Sequence, residues 1–190
     1  MPKIIGLTGP IGAGKDEVAK VLRRRKVSVV DADRVAHTLY KPQSEVWHGL
    51  VRAFGSRILN RGGAVNRRKL GELVFSDKGK LQQLNKIVHP YLKKAIIREV
   101  ELRTQVVVIN AAVLKEIGLV DHVDEVWVVT ASRQKRMRRL LGQGLSKKSA
   151  AARLRSQQSL REYVRLADVV IENNGTRQQL AKKVLALLGA

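Results

Sequence analysis

The stretch GLTGPIGAGKDEVAKVL, Gly6 to Leu22, constrains this chain more than any other. Gly9, Gly14 and Lys15 stand at the spacing G-x-x-x-x-G-K, between an apolar run that ends at Thr8 and a helical segment that opens at Lys15. That context gives the spacing its physical meaning. Glycines let backbone N–H groups close around a phosphate chain, the helix N-terminus adds its positive end, and the lysine reaches the β and γ phosphates. Gly9, Pro10, Ile11, Gly12, Ala13, Gly14 and Lys15 are therefore expected to bind nucleotide phosphate. The residue after the lysine is Asp16, where Ser or Thr is usual. A carboxylate repels phosphate but is a good oxygen ligand for a hard divalent cation, so Asp16 is expected to hold Mg²⁺, directly or through water.

Short Val- and Ile-rich runs follow the same logic along the chain: Lys3–Thr8, Val27–Asp31, Gln105–Asn110, Glu125–Val129 and Asp168–Ile171. They do not alternate with polar residues, as suits a parallel sheet covered on both faces. Helical segments, beginning with Lys15–Arg25, separate them, which predicts a three-layer α/β fold with right-handed crossovers. Some 70 residues of helical periodicity between the second and third runs are too many for a crossover, so residues 37–101 read as a helical insertion. Residues 133–163 are a second, strongly basic excursion, its helices broken at Gly142–Ser146. The remaining core is 1–36, 102–132 and 164–190, all within a single domain.

Asp31 and Asp33 lie at the carboxyl end of the second run, where open α/β sheets place their sites. Two residues apart in extended chain, they would point the same way. One could accept a proton from a substrate hydroxyl while the other orients water or metal, and Asp33 could also cap the helix that follows.

Thirty-seven Lys and Arg against 16 Asp and Glu leave a net charge of +21, a surface that attracts nucleotides, coenzyme phosphates, RNA or acidic lipid. None of the seven aromatics interleaves with the basic runs, so a base-stacking platform, and with it a nucleic-acid role, is not expected. There is no cysteine, no apolar stretch long enough to span a membrane, and no signal peptide at the start, so a cytoplasmic enzyme is expected, as a monomer or weak homo-oligomer.

With GLTGPIGAGK and DADRVAH (Asp31–His37) in hand, further landmarks fall in order: NRRKLGELVF (Asn66–Phe75), IVHP (Ile87–Pro90), LKEIGL (Leu114–Leu119), ARLRSQ (Ala152–Gln157) and ADVVIENNG (Ala167–Gly175). Together they resemble the dephospho-coenzyme A kinases over nearly the whole chain. The resemblance implies a P-loop kinase fold with a five-stranded parallel sheet, a helical acceptor-binding insertion and a lid. It implies transfer of phosphate from ATP, with Mg²⁺, to the ribose 3′-hydroxyl of dephospho-CoA, the last step of coenzyme A synthesis. Carried across, Asp33 is the base facing the hydroxyl and Asp31 its support. Arg67 and His89 lie near the acceptor, although His89 alone would read as a packed or capping histidine. Arg153 and Gln157 belong to the lid, Glu116 and Arg138 bind the nucleotide, and Asn173 and Gly175 lie near the adenine.

Two departures stand out. The usual Asp-x-Pro-Leu-Leu-x-Glu reads NAAVLKE, with Asn110 for Asp and Ala112 for Pro, and a lid arginine falls at Gly142, where Arg136, Arg138 or Arg139 could supply the charge. They keep two alternatives open: a related P-loop kinase with another nucleotide or nucleoside acceptor, and a non-catalytic nucleotide- or RNA-binding homologue.

Overall fold

The computed structural model describes residues 2–155, 157 and 159–189. Five strands, β1 (Ile4–Thr8), β2 (Ser28–Asp31), β3 (Val107–Asn110), β4 (Glu125–Thr130) and β5 (Val169–Glu172), form one parallel sheet in the order β2-β3-β1-β4-β5. Each grows from one of the apolar runs; the central strands have no face free for polar side chains, whereas β5 at the edge leaves Val170 and Glu172 exposed. All four residues of β3 are buried, and β1 is buried from Ile5 onward. The register sets Leu7 beside Asn110 on one side and Trp127 on the other, so the carboxyl end of β1 opens between β3 and β4. That end carries the glycine-rich loop.

Helix α1 (Lys15–Arg24) turns Val18, Ala19 and Leu22 inward, a spacing of one helical face. These side chains join Leu7, Val108, Trp127, Val129 and Ile171 of the sheet and Leu180 and Val184 of α9 (Arg177–Leu187) in one core cluster. Burying each large apolar side chain contributes roughly 1.5–3 kcal/mol. The basic excursion folds as α6 (Arg133–Gly142), α7 (Lys147–Arg155) and α8 (Leu160–Arg165), with the break at Gln143–Ser146. Ser132 caps α6, while Ser159 with Glu162 and Thr176 with Gln179 form reciprocal capping boxes on α8 and α9.

The chain divides into two compact units, residues 1–30 with 100–190, and 31–99. The second is helical: α2 (Ala32–Leu39), α3 (Glu45–Phe54), α4 (Arg67–Phe75) and α5 (Lys78–Glu101). Val46, Leu50, Phe54, Ile58, Leu70, Val74, Val88, Leu92 and Ile96 are buried in it. Ser44 and Asn66 cap α3 and α4 through their side chains, and Trp47 Nε1 donates to Gly63 O at 2.8 Å. Among the described residues no helix is long and apolar enough to cross a membrane.

Candidate active site

The loop leaves β1 at Gly9, whose φ of 140° belongs to glycine, and a side chain there would collide with the Val129 carbonyl. Gly14, at φ 102°, is the N-cap of α1, and a side chain would run into the Asn173 amide. Both positions demand glycine for backbone shape and for closeness of neighbours. Lys15 is the first helical residue and its Nζ donates to Gly9 O at 2.9 Å, so the ammonium sits across the mouth of its own loop.

Four side chains from other elements hold the loop's peptides. Arg139 on α6 donates through Nη1 to Gly12 O (2.9 Å) and Ala13 O (2.7 Å), and through Nη2 to Asn173 O (2.9 Å). Asn173, buried after β5, adds Nδ2 to Ala13 O at 2.8 Å. Arg136 donates through Nε to Ile11 O at 2.8 Å, and Gln157 Oε1 accepts from Ile11 N at 2.7 Å and from Arg136 Nη2 at 3.4 Å. Fixing the carbonyls outward leaves the remaining loop N–H groups oriented for an anion before it arrives. Burial lowers the pKa of both guanidinium groups from the ordinary arginine value.

Within the basic run, the contacts to the loop come from two of the three arginines. Arg138 is exposed on α6, and its neighbours Arg136 and Arg139 reach the loop. A helix turns about 100° per residue, so of three nearby arginines only those on the inner face can make that contact. Gly142 ends the helix with open space around it.

Asp16, exposed in the first turn of α1, accepts from the buried Asn110 Nδ2 at 3.3 Å across the β1–β3 boundary. Glu116 is exposed in the segment after β3. Burial pushes the Tyr163 phenol up and Glu116 adds to it, while Arg136 opposes it, so these three groups share one neighbourhood. Arg153 is exposed on α7, and Gly175 is exposed just beyond Asn173. Glu172, Asn173, Gly175, Gln179 and Lys183 help line a groove of about 470 Å³ against α9.

In the helical unit, Asp31 ends β2 and α2 begins at Ala32. The two aspartates therefore do not share an extended face. Asp31 is the cap: its Oδ1 accepts from Asp33 N (3.1 Å) and Arg34 N (3.2 Å), which leaves Asp33 exposed in the first helical turn. The capping role expected for Asp33 belongs to Asp31, because the helix starts at Ala32, two residues earlier than that reading needs. Arg67 opens α4 behind its Asn66 cap, and His89 is half-buried in α5. Tyr40 was not singled out in the sequence. Burial raises its phenol, Arg67 lowers it and Asp33 raises it, so it links two expected acceptor residues. The available signal was its place seven residues after Asp33, two turns along one helix face.

Among the described residues no group of three or more His, Cys, Asp and Glu could hold a metal. Mg²⁺ in phosphoryl-transfer sites needs none, being held by one or two carboxylates together with substrate phosphates. The donor set of Asp16 beside the phosphate loop fits that requirement.

Comparison with known proteins bears on the whole chain. A dephospho-CoA kinase of Geobacter sulfurreducens is 40% identical over 186 residues, covering 95% of this chain and 94% of the relative. A crystal structure from Thermus thermophilus matches with a TM-score of 0.83 at 33% identity, covering 99% of this chain and 97% of the other. The dephospho-CoA kinase of Campylobacter jejuni shares the fold with a TM-score of 0.74 at 21% identity, covering 100% and 96%. With the sequence model of dephospho-CoA kinase matching residues 3–179, the chain belongs to the dephospho-CoA kinase family.

Proposed function

We propose that this chain transfers the γ-phosphoryl group of ATP to the ribose 3′-hydroxyl of dephospho-CoA. The observation that carries the reading is the pre-shaped loop Gly9–Lys15, its carbonyls held by Arg136, Arg139 and Asn173 and its lysine in place. Such a loop binds a phosphate chain without reorganising, the condition under which charge stabilisation is most effective.

The roles follow from position and chemistry. Backbone N–H groups of the loop and the N-terminus of α1 bind the β and γ phosphates, with Lys15 spreading positive charge over them. Asp16 holds Mg²⁺, which supplies neutralisation of the phosphate charge when bound. Asn173 and Gly175 flank the adenine, and Glu116, Arg138 and Arg153 complete the nucleotide's surroundings. Asp33 accepts the proton of the 3′-hydroxyl as that oxygen bonds to the γ-phosphorus and the bond to the β–γ bridging oxygen breaks, releasing ADP. Arg67 and His89 bind the acceptor, and Asp31 holds Asp33 by capping the helix that carries it. The protein works as a soluble cytoplasmic enzyme, a monomer or weak homo-oligomer, with the basic surface drawing anionic substrates to it.

The test is incubation with ATP, Mg²⁺ and a panel of acceptors, with products identified by mass spectrometry. CoA from dephospho-CoA, lost in Lys15→Ala, is the expected result. Phosphorylation of a different nucleotide or nucleoside in preference would reassign the acceptor, and ATP binding with no product would remove the kinase reading.

A further inference from the structure

The residue after the loop lysine and the residue at the end of β3 both depart from the usual pattern, and they touch. In P-loop enzymes the cation is held by a Ser or Thr hydroxyl after the lysine and by a strand-borne aspartate. Here the first position is the carboxylate Asp16 and the second the amide Asn110, joined by Nδ2–H···Oδ1 at 3.3 Å. They are 94 residues apart in sequence and meet because β3 pairs with β1, with Asn110 level with Leu7 just before the loop. Asn110 is 6% exposed, so its amide has little freedom to turn away.

We infer that Asp16 and Asn110 are a transposed pair: the carboxylate of the cation site has moved from the strand to the helix, and the amide left on the strand orients it. The inference rests on the proposed Mg²⁺-dependent phosphoryl transfer and deepens it. The site keeps one negative charge and one neutral hydrogen-bonding partner with their positions exchanged. Either residue reverted alone breaks that balance. A hydroxyl at 16 facing Asn110 leaves no carboxylate, and an aspartate at 110 facing Asp16 sets two carboxylates together and removes the donor between them. Reverting both restores a charge of one.

The experiment is a double-mutant cycle of Asp16→Thr, Asn110→Asp and the double variant, with Asp16→Asn as an isosteric control. Mn²⁺ affinity is read by electron paramagnetic resonance in the presence of a non-hydrolysable ATP analogue and no acceptor, and melting temperature is read without metal. Asp16→Thr and Asp16→Asn should weaken Mn²⁺ on the order of tenfold or more, the range seen when a residue supporting a metal site is lost. Asn110→Asp should melt earlier without metal and recover when Mg²⁺ and nucleotide are added. The double variant should return to within about threefold of the original affinity, a non-additivity that only interacting residues produce. A double variant as weak as Asp16→Thr alone would overturn the transposition, as would unchanged Mn²⁺ affinity in Asp16→Asn. Because no acceptor is present, these outcomes hold whichever hydroxyl is phosphorylated, and a chain that makes CoA but shows no rescue loses only this inference.

Discussion

Arg139→Leu tests whether the phosphate loop is held from outside or by its own glycines. The guanidinium makes three hydrogen bonds, to Gly12 O, Ala13 O and Asn173 O, at 2.7–2.9 Å. At about 1.5 kcal/mol each, the low end for bonds to a charged group, their sum is about 4.5 kcal/mol. Two effects reduce it. Ala13 O keeps its bond from Asn173 Nδ2, and Arg139 is only partly buried, so water can reach the vacated carbonyls. A loss of about 3 kcal/mol remains, which for a chain of this size lowers the melting temperature by roughly 6–12 °C. Thermal unfolding followed by circular dichroism measures this, with Arg138→Leu as the control. Arg138 is exposed one position away, and its loss should stay within about 0.5 kcal/mol. Arg139→Lys should recover less than half of the deficit, since an ammonium cannot reproduce a fork reaching three carbonyls on two segments. ATP KM should rise in Arg139→Leu as the loop loses its fixed shape. Equal melting temperatures for Arg139→Leu and Arg138→Leu would refute the clamp.

Asp33→Asn should lower turnover by roughly 10²-fold or more with ATP affinity little changed, as for a positioned general base, and near-normal turnover would dismiss it from that role. Asp31→Ala should cost about 1 kcal/mol through loss of the α2 cap, while Asp31→Asn, which can still accept from Asp33 N and Arg34 N, should melt nearly as the parent does. Substrate capture should fall with added salt while turnover at saturation stays nearly level, and a salt-independent kcat/KM would argue that the +21 charge plays no part in encounter. The hydrogen bond from Lys20 holds the Glu17 carboxylate below its ordinary range, with Lys20, Arg177 and Arg24 adding to it. The folded value is the depressed one, so this stabilisation is present above the unfolded carboxylate pKa and disappears as pH falls through the folded value. Glu17→Gln should flatten the acid limb of a melting-temperature profile, and an unaltered limb would remove that contribution.

What the sequence determined by itself was local. Five apolar runs without alternation marked five strands, of which β1, β3 and β4 at the centre of the sheet are buried because a doubly covered strand has no polar face to offer. Gly9, Gly14 and Lys15 announced a phosphate loop since the backbone shape they permit is set within a few residues. The break after Gly142 was likewise readable from near neighbours. Asp31 lay at the limit: capping is local, but a two-residue shift in the helix start gave it the role expected of Asp33. The remainder belonged to tertiary structure. No spacing tells that Arg136 and Arg139 turn toward the loop while Arg138 faces out, since that depends on how α6 is rotated against the sheet. Nothing local joins Asn173 to Ala13, 160 residues away, or Asn110 to Asp16. Those contacts exist because the strand order β2-β3-β1-β4-β5 places β3 and β4 on either side of β1, with β5 beyond β4. Chain separation carries no information about which carboxyl ends a folded sheet brings together, and the chemistry of this site is assembled at those ends.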